Sequence, residues 1–281
     1  MNVGICGAGT MGRGIAIASL MSGHSVVVYD LHQHAVDSSL GYIRAQLDKA
    51  LEKGKISSEL LSTLELRGAT DIAQLAQCNI VVEAVAEVLE VKHSLFSDVE
   101  GVVEPTTILA TNTSSISIAA IARPLSRPER FIGLHFFNPA HIMKLVEVIR
   151  GPCTSDDSVA FCVDFANGLG KSPVVAKDAP GFIVNRIARN YYNEAQRIVM
   201  EGAANIETTD ILMRGLGFKM GPFELMDLIG VDVNLDVTKS QWQQFFQEPR
   251  FTPSLLQQQM VDAGLHGKKT DRGFYEYSKS E

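Results

Sequence analysis

Two ionisable residues, His135 and Glu147, stand within the otherwise apolar runs FIGLHFF and KLVEVI, which flank a turn signal at Asn138-Pro139-Ala140. Burying such groups is costly unless they are paired. If the two runs are neighbouring strands, the imidazole and the carboxylate can meet. A carboxylate fixes the tautomer of an imidazole and stabilises the imidazolium that forms when a proton arrives. We therefore predict a general base held by an acid; a purely structural His–Glu contact is the alternative.

A glycine-rich loop near the N-terminus has the spacing G-x-G-x-x-G, formed by Gly7, Gly9 and Gly12 in GICGAGTMGRG. A strand pattern precedes it and an apolar helical pattern follows it, which is the context of a dinucleotide-binding loop. Gly7 allows a sharp turn, Gly9 allows a pyrophosphate to approach, and Gly12 allows close helix–strand packing. The loop, including Thr10 and Met11, is predicted to bind phosphates at the start of the helix.

Asp30 ends the second predicted strand, SVVVYD, and the next residues, LHQH, include no arginine. An acidic side chain at this position can accept hydrogen bonds from the ribose hydroxyls of NAD and would repel the extra phosphate of NADP. We therefore predict NAD as the cofactor. The alternative is that Asp30 serves only as a turn or cap residue.

A base beside a dinucleotide predicts the oxidation of an alcohol, or the reverse reaction. The base takes the hydroxyl proton while the carbon gives a hydride to the nicotinamide. No metal-binding constellation occurs in the sequence, so we predict no metal, and a protein group must polarise the carbonyl.

The elements that position these residues alternate through the first two thirds of the chain. The predicted strands are NVGIC, SVVVYD, NIVVEA, TTILAT, FIGLHFF, KLVEVI and SPVVA, and helical periodicity covers residues 11–22, 33–53, 87–103 and 155–168. Such alternation predicts an α/β fold, with a mostly parallel sheet and helices on both faces.

The strand patterns stop after KDAPGFIVNR, and only helical patterns follow. Ile183, Ile187 and Tyr191 fall at i, i+4 and i+8, so they are expected to form one buried stripe of a helix. We predict two domains, an α/β domain over residues 1–180 and an all-α domain over residues 181–281.

Composition excludes several classes of function. The net charge is −7, without a basic run of the kind that tracks nucleic acid. No apolar run has the ~18 residues of a membrane span, and no signal peptide fits the N-terminus. The four cysteines, Cys6, Cys78, Cys153 and Cys162, lack metal-site spacing and are expected to be reduced and mostly in the core. We expect a soluble, cytoplasmic or organelle-matrix protein with no nucleic-acid or membrane partner.

The chain resembles the NAD-dependent 3-hydroxyacyl-CoA dehydrogenases, including the short-chain 3-hydroxybutyryl-CoA members. The motifs GAGTMGRGIA, VVEAVAE, NTSSISI, HFFNPAHIMKLVEV, KDAPGFIVNR and GKKTDRGFY occur in the order of that family. The resemblance implies a Rossmann-type doubly wound domain and a helical domain, with the substrate site at the cleft between them and dimerisation through the helical part. It implies oxidation of an L-3-hydroxyacyl-CoA to the 3-ketoacyl-CoA, a reaction type of fatty acid metabolism.

The resemblance also implies roles for single residues. It assigns the catalytic pair to His135 and Glu147, and the groups that bind the substrate oxygen to Ser114 in NTSS and Asn185 in GFIVNR. Both are neutral polar groups that can bind an oxygen without competing for its proton. The alternatives are a helix N-cap for Ser114 or Ser115, and for Asn185 a buried group that ties the two domains together.

Further contacts follow from the resemblance alone. It assigns cofactor contacts to Glu87, Lys92, Asn112, Ser114, Asn138 and Lys269. From the sequence without it, Glu87 and Lys92 are an ordinary solvated helix start. Lys53 is the best match for a coenzyme A contact, and a solvated basic face is the alternative. The chain departs from the family at Gln46, where a coenzyme-contacting serine is usual, and at Asp271, where glycine is frequent.

Two other functions remain open. One is the same chemistry on a hydroxyacyl group carried by acyl carrier protein, or on a free hydroxy acid. The wider 3-hydroxyacid dehydrogenases place a catalytic lysine on the interdomain helix, and GFIVNRIARNYYNE contains none. The other is a non-enzymatic NAD-binding protein; its mark would be loss of the His–Glu pair, and both residues are present.

Overall fold

The chain divides into two compact units, Met1–Phe182 and Ile183–Glu281. The computed structural model describes residues 1–277 of the protein. Within these residues, no helix combines the length and the apolar character that crossing a bilayer requires.

The first unit is built on one sheet. Its strands are β1 (Asn2–Cys6), β2 (Ser25–Tyr29), β3 (Leu66–Ala69), β4 (Ile80–Glu83), β5 (Ile108–Thr111), β6 (Phe131–Phe136), β7 (Leu145–Arg150) and β8 (Ser172–Lys177). They lie in the order β3-β2-β1-β4-β5-β6-β7-β8. Neighbouring strands run parallel, except that β6 and β7 are antiparallel. The predicted mostly parallel, doubly wound sheet is confirmed.

Apolar side chains on both faces explain why the central strands form. Every residue of β4, β5 and β6 is buried, which is typical of parallel strands covered by helices on both sides. Side chains such as Ile5, Val82, Ile132 and Val148 form one core with the helices that cover the sheet. The edge strand β8 is mostly exposed.

The helices of the first unit follow the predicted pattern. They are α1 (Thr10–Met21), α2 (Gln33–Glu52), α3 (Ser58–Thr63), α4 (Leu89–Val102), α5 (Ile118–Ala122) and α6 (Asp156–Gly168), with 3₁₀ turns at Ile72–Leu75 and Pro128–Arg130. The short elements α3, β3 and α5 lie outside the predicted set. In β3, with the sequence LRGA, Gly68 interrupts the strand pattern because a side chain there would overlap Val36 of α2.

Within residues 183–277, the secondary structure of the second unit consists of helices and isolated β-bridges, which agrees with the predicted all-α class. The helices are α7 (Val184–Met200), α8 (Ile206–Gly215), α9 (Pro222–Ile229), α10 (Val231–Gln244) and α11 (Leu255–Asp262), with 3₁₀ turns at Pro249–Phe251 and Lys268–Thr270. A core around Tyr192, Ala195, Phe223 and Met226 joins α7 to α9.

The predicted buried stripe of α7 is wrong at Ile187, which exposes 67% of its surface. The buried face of the helix instead includes polar residues, among them Arg189. Its guanidinium donates hydrogen bonds to the Asn234 carbonyl at 2.7 Å and to the Thr238 hydroxyl at 2.9 Å. Long-range partners on α10 therefore decide which face is buried, and an apolar pattern cannot reveal them.

Candidate active site

His135 and Glu147 meet across the antiparallel pair β6 and β7, where they stand directly opposite each other. His135 Nδ1 and Glu147 Oε2 are 2.7 Å apart. Only 7% of the His135 side chain and 1% of the Glu147 side chain are exposed. Because an ionised carboxylate can only accept, Nδ1 carries a proton and donates a hydrogen bond to Glu147. The other ring nitrogen, Nε2, is then the atom that can take a proton from a ligand.

The glycine loop follows β1 at the carboxyl edge of the sheet, the edge where ligands bind in open α/β folds. Gly7 has a φ of 110°, and a Cβ there would lie 2.5 Å from the Ala84 carbonyl oxygen. A Cβ on Gly12 would overlap the Gly7 carbonyl oxygen, whereas one on Gly9 would meet nothing within 4 Å. Gly7 and Gly12 are therefore required by packing, and Gly9 faces open space that a phosphate can approach.

The start of α1 suits an anion. Gly9 is its N-cap residue, and Thr10, Met11 and Gly12 form its first turn. The first N–H groups of a helix have no partner within the helix, and they carry the positive end of its dipole. The loop thus offers backbone N–H donors to a pyrophosphate, the group that the glycine spacing predicts as its ligand.

Asp30 ties the glycine loop to the end of β2. Its Oδ2 accepts a hydrogen bond from the Ala8 N–H at 2.9 Å, and its Oδ1 accepts one from the His32 N–H at 3.2 Å. Asp30 therefore stabilises the turn after β2 through these hydrogen bonds. Each carboxylate oxygen keeps a further lone pair for a ribose hydroxyl. The two interpretations of Asp30 are compatible.

A cavity of about 570 Å³ opens beside the loop and Asp30. Its lining includes Gly7, Gly9 and Asp30, together with Ala84 and Leu95. Polar groups for a ribose and a pyrophosphate thus stand next to apolar side chains that suit an adenine ring. These residues fit a dinucleotide cofactor.

The sequence did not single out a buried carboxylate at the same edge of the sheet, Glu83. It ends β4 and accepts hydrogen bonds from Lys92 Nζ at 2.6 Å, from Thr111 Oγ1 at 2.6 Å and from the Val85 N–H at 2.8 Å. Glu83 is fully buried. The available signal was a charged residue that ends the apolar strand IVVE at the ligand-binding edge of the sheet.

Lys92 bridges two carboxylates, Glu83 and Glu87, and is itself fully buried. The alternative prediction for Lys92, in which it is part of an ordinary solvated helix start, is therefore wrong. The Glu87 side chain is 38% exposed, and its partial burial on its own would raise its pKa. Lys92 and hydrogen bonds from Thr113 and Ser115 outweigh that effect and hold the pKa below its ordinary value.

Glu87 also fixes the loop that carries Ser114. Its Oε1 accepts hydrogen bonds from the Thr113 hydroxyl, from the Ser115 hydroxyl at 3.0 Å and from the Ser114 N–H at 3.2 Å. The N-cap alternative for Ser114 or Ser115 is wrong, because Ser117 is the N-cap of α5 and accepts from the Ala120 N–H. The Ser114 loop is thus held by side chains rather than by a helix start.

Two asparagines lie at the ends of neighbouring strands. Asn112 follows β5, and its Oδ1 accepts a hydrogen bond from the Phe136 N–H of β6 at 2.8 Å. Asn138 follows β6 and is exposed, and its peptide bond to Pro139 is cis. Both stand at the carboxyl edge that also carries His135 and the glycine loop.

Three further predicted residues lie elsewhere in the chain. Lys53 is exposed at the C-terminal end of α2. In the second unit, Asn185 lies in the first turn of α7, and Lys269 Nζ is 2.5 Å from Asp232 Oδ2. Across residues 1–277, no group of three or more His, Cys, Asp or Glu side chains could hold a metal ion.

Comparison with known proteins gives consistent matches over both units. The model of the 3-hydroxyacyl-CoA dehydrogenase NAD binding domain matches residues 2–179, and the model of the 3-hydroxyacyl-CoA dehydrogenase C-terminal domain matches residues 181–277. A probable 3-hydroxybutyryl-CoA dehydrogenase of Deinococcus radiodurans is 43% identical over 279 residues, which cover 99% of this chain and 100% of that protein.

A 3-hydroxyadipyl-CoA dehydrogenase of Escherichia coli K12 is 48% identical over 278 residues. The match covers 98% of this chain, but this chain spans only 58% of that relative. The crystal structure of an (S)-3-hydroxybutyryl-CoA dehydrogenase from Ralstonia eutropha is similar with a TM-score of 0.94 at 41% identity, and the match covers 99% of each chain.

Proposed function

Because this chain belongs to the 3-hydroxyacyl-CoA dehydrogenase family, whose cofactor is NAD, we propose that it interconverts an L-3-hydroxyacyl-CoA and the corresponding 3-ketoacyl-CoA. The observation that supports this most is the hydrogen bond of 2.7 Å between His135 and Glu147. It lies at the carboxyl edge of the sheet, where the glycine loop and Asp30 also lie. A base for the hydroxyl proton and a dinucleotide site thus share one edge.

In the proposed mechanism, His135 Nε2 takes the proton of the 3-hydroxyl group. Glu147 accepts a hydrogen bond from Nδ1–H throughout and stabilises the imidazolium that forms. Bound NAD supplies the acceptor for the hydride that leaves C3. The Ser114 hydroxyl and the Asn185 amide bind the substrate oxygen. In the reverse direction, the imidazolium returns the proton to that oxygen.

The proposed cofactor contacts lie at the carboxyl edge of the sheet and in the second unit. The loop from Gly7 to Gly12 binds the pyrophosphate and Asp30 binds the adenosine ribose. Further contacts are proposed for Glu87, Lys92, Asn112, Ser114, Asn138 and Lys269. Support for Glu87 and Lys92 comes from their ion pair, which stands beside the turn after β4 that lines the cavity.

The proposed substrate is a short-chain acyl thioester of coenzyme A, with Lys53 as a contact for its anionic part. The relatives carry names with different acyl groups, hydroxybutyryl in one and hydroxyadipyl in another. Thioesters of acyl carrier protein, free hydroxy acids and a non-enzymatic NAD-binding role are the alternatives that the experiment must separate.

We propose further that the NAD-binding domain spans residues 1–180 and that the helical domain, residues 181–281, forms a homodimer. The support is a cluster of exposed apolar side chains on and just after α8, namely Ile211, Leu212, Leu216 and Phe218. Exposed apolar clusters commonly mark association surfaces. A cytoplasmic location is proposed because Cys6, Cys78, Cys153 and Cys162 are all unpaired.

The experiment is NADH oxidation by the purified protein with a panel of acceptors: acetoacetyl-CoA, 3-ketoadipyl-CoA, longer 3-ketoacyl-CoAs, acetoacetyl-acyl carrier protein and free acetoacetate. We expect turnover of coenzyme A thioesters with NADH in preference to NADPH. His135→Gln serves as the inactive control. Preference for the carrier-protein thioester or the free acid would replace the proposed substrate, and NADH binding without turnover of any acceptor would contradict the proposed enzyme.

A further inference from the structure

Phe182, the last residue of the first unit, has a backbone conformation that its residue type disfavours. Its φ is 48°, in the left-handed region, where a Cβ crowds the backbone. Gly181 before it has a φ of 73°, which glycine adopts freely. A strained residue of this kind persists only where its surroundings hold it in place.

The surroundings of Phe182 include the proposed general base. Phe182 is buried, and its ring centroid lies 5.9 Å from that of the His135 imidazole. Phe137 provides a second ring, 4.5 Å from the imidazole and tilted by 53°. Both distances lie in the range of favourable contacts between aromatic rings. Glu147 holds one nitrogen of the imidazole, and these two rings contact the rest of it.

The segment that ends at Phe182 is also fixed at its other end. Asp178 accepts hydrogen bonds from the Ser117 hydroxyl at 2.8 Å and from the N–H groups of Ile118 at 3.0 Å and Ala119 at 2.9 Å. Within the segment, the Phe182 N–H donates to the Ala179 carbonyl at 2.8 Å. The left-handed turn at Phe182 is thus held between the start of α5 and the base.

We propose that Phe182 is a positioning residue for the general base. Its ring keeps the His135 imidazole in the orientation in which Nδ1 donates to Glu147, and it keeps water away from that hydrogen bond. Water would compete for both partners and weaken a bond that is strong because it is charge-assisted and buried. The role of Phe182 in turnover rests on the proposed function, whereas its effect on the imidazole does not.

A purely structural role for Phe182 predicts different effects of substitution. If Phe182 only turned the chain into the second unit, the left-handed backbone would be needed and the ring would not. Phe182→Gly separates these roles, because glycine adopts the same φ without strain and removes the ring. Phe182→Leu restores apolar bulk. Phe246→Gly is the matched control, since Phe246 has a φ of 55° but is 94% exposed.

The first measurement is the exchange of the His135 Nδ1 proton with water, followed by nuclear magnetic resonance in protein labelled with ¹⁵N-histidine. The resonance is assigned by its loss in His135→Gln. We expect exchange about tenfold faster in Phe182→Gly, an intermediate rate in Phe182→Leu and the native rate in Phe246→Gly. Native exchange in a folded Phe182→Gly protein would overturn the proposal. Should that variant fail to fold, native exchange in Phe182→Ala, which also lacks the ring, would overturn it.

The second measurement is steady-state kinetics. We expect Phe182→Gly to lower kcat about tenfold, a part of what a general base contributes, with the KM for NADH nearly unchanged. Partial recovery of kcat in Phe182→Leu supports positioning by apolar bulk. A native kcat in folded Phe182→Gly would overturn the role of Phe182 in turnover. If the native protein turns over no 3-ketoacyl-CoA, the proposed function fails, and the exchange comparison still decides whether Phe182 positions the imidazole.

Discussion

At the scale of single residues, the direction of proton transfer follows from what each atom can donate or accept. Glu147 can only accept while it is ionised, so His135 presents its Nδ1 proton to Glu147 and keeps Nε2 for the ligand. A neutral imidazole held in one tautomer is the form that can act as a base. Burial of both side chains strengthens their interaction because water does not compete for it.

His135→Gln is expected to lower kcat on the order of 10²–10⁴-fold, because it removes the proton acceptor. Glutamine carries a neutral amide of size similar to the imidazole, so NADH affinity should stay close to native. Stopped-flow or steady-state turnover gives the first quantity, and fluorescence titration with NADH gives the second. A variant that keeps native turnover would show that another group takes the proton.

Asp30→Ala should weaken NAD binding and reduce discrimination against NADP, because it removes the charge that repels a 2′-phosphate. It also removes the acceptor for the Ala8 N–H and should loosen the glycine loop. Asp30→Asn is the matched variant: it removes the charge and keeps an oxygen for Ala8. Kinetics with both cofactors test this, and an unchanged preference in both variants would contradict the ribose contact.

At the scale of elements, the site depends on short connections at one edge of the sheet. The loop after β1 passes so close to α1 and to the turn after β4 that only glycine fits at Gly7 and Gly12. Glu83, at the end of β4, binds Lys92 of α4 and Thr111 of β5. These contacts make the edge a connected unit, so a change in one element should affect ligands that touch another.

Gly12→Ala is expected to destabilise the protein and to abolish NAD binding, because its methyl group would overlap the Gly7 carbonyl. Gly41→Ala is the control within a helix: a Cβ at Gly41 meets nothing within 4 Å. That variant should be more stable by roughly 0.5–1 kcal/mol, because alanine is the better helix former. Thermal unfolding and NADH titration of both variants test the contrast, and tight NADH binding by Gly12→Ala would contradict it.

The ion pair of Glu87 with Lys92 predicts a pH dependence of stability. The pKa of Glu87 in the folded protein lies below its ordinary value of 4.5, although partial burial opposes this. Its contribution is therefore present above the pKa of the unfolded chain and is lost as the pH falls through the lower, folded pKa.

Glu87→Gln should reduce the free energy of unfolding at pH 7, and the deficit should shrink in acid. Urea unfolding between about pH 7 and pH 3 measures this, since the unfolded carboxyl titrates within that range. Glu90→Gln is the control, because Glu90 is exposed on the first turn of α4, the helix that carries Lys92. An equal deficit at every pH would show that the carboxylate charge of Glu87 does not stabilise the fold.

At the scale of the whole molecule, the proposed homodimer rests on the exposed apolar residues on and just after α8. Leu216→Glu, at a residue that is 75% exposed, should shift the protein towards the monomer because it places a charge in the proposed interface. Val175→Glu, on the exposed edge strand β8, is the control and should leave the dimer intact. Light scattering across a range of concentrations measures the mass, and a monomeric native protein would contradict the proposal.

The sequence was sufficient for the features that local patterns carry. Apolar β-branched runs buried on both faces gave the central parallel strands, and the glycine spacing gave the loop at the start of α1. The mostly parallel sheet, the helical second unit, the family and NAD as cofactor were all predicted in this way or from the motifs. Such features depend on residues close together in the chain, so their signals survive without knowledge of the fold.

Other features were decided only by the tertiary structure. The burial of Lys92 depends on Glu83, which belongs to a different element, and the exposure of Ile187 follows from polar residues of α7 that find partners on α10. The left-handed backbone of Phe182 is matched to an imidazole 47 positions earlier in the chain (182 − 135). A hydrogen bond or ion pair between residues far apart in the sequence offsets the cost of burying a polar group. No local sequence pattern identifies the partner. The local sequence patterns therefore determined the longer elements, and the folded chain determined which polar groups those elements could bury.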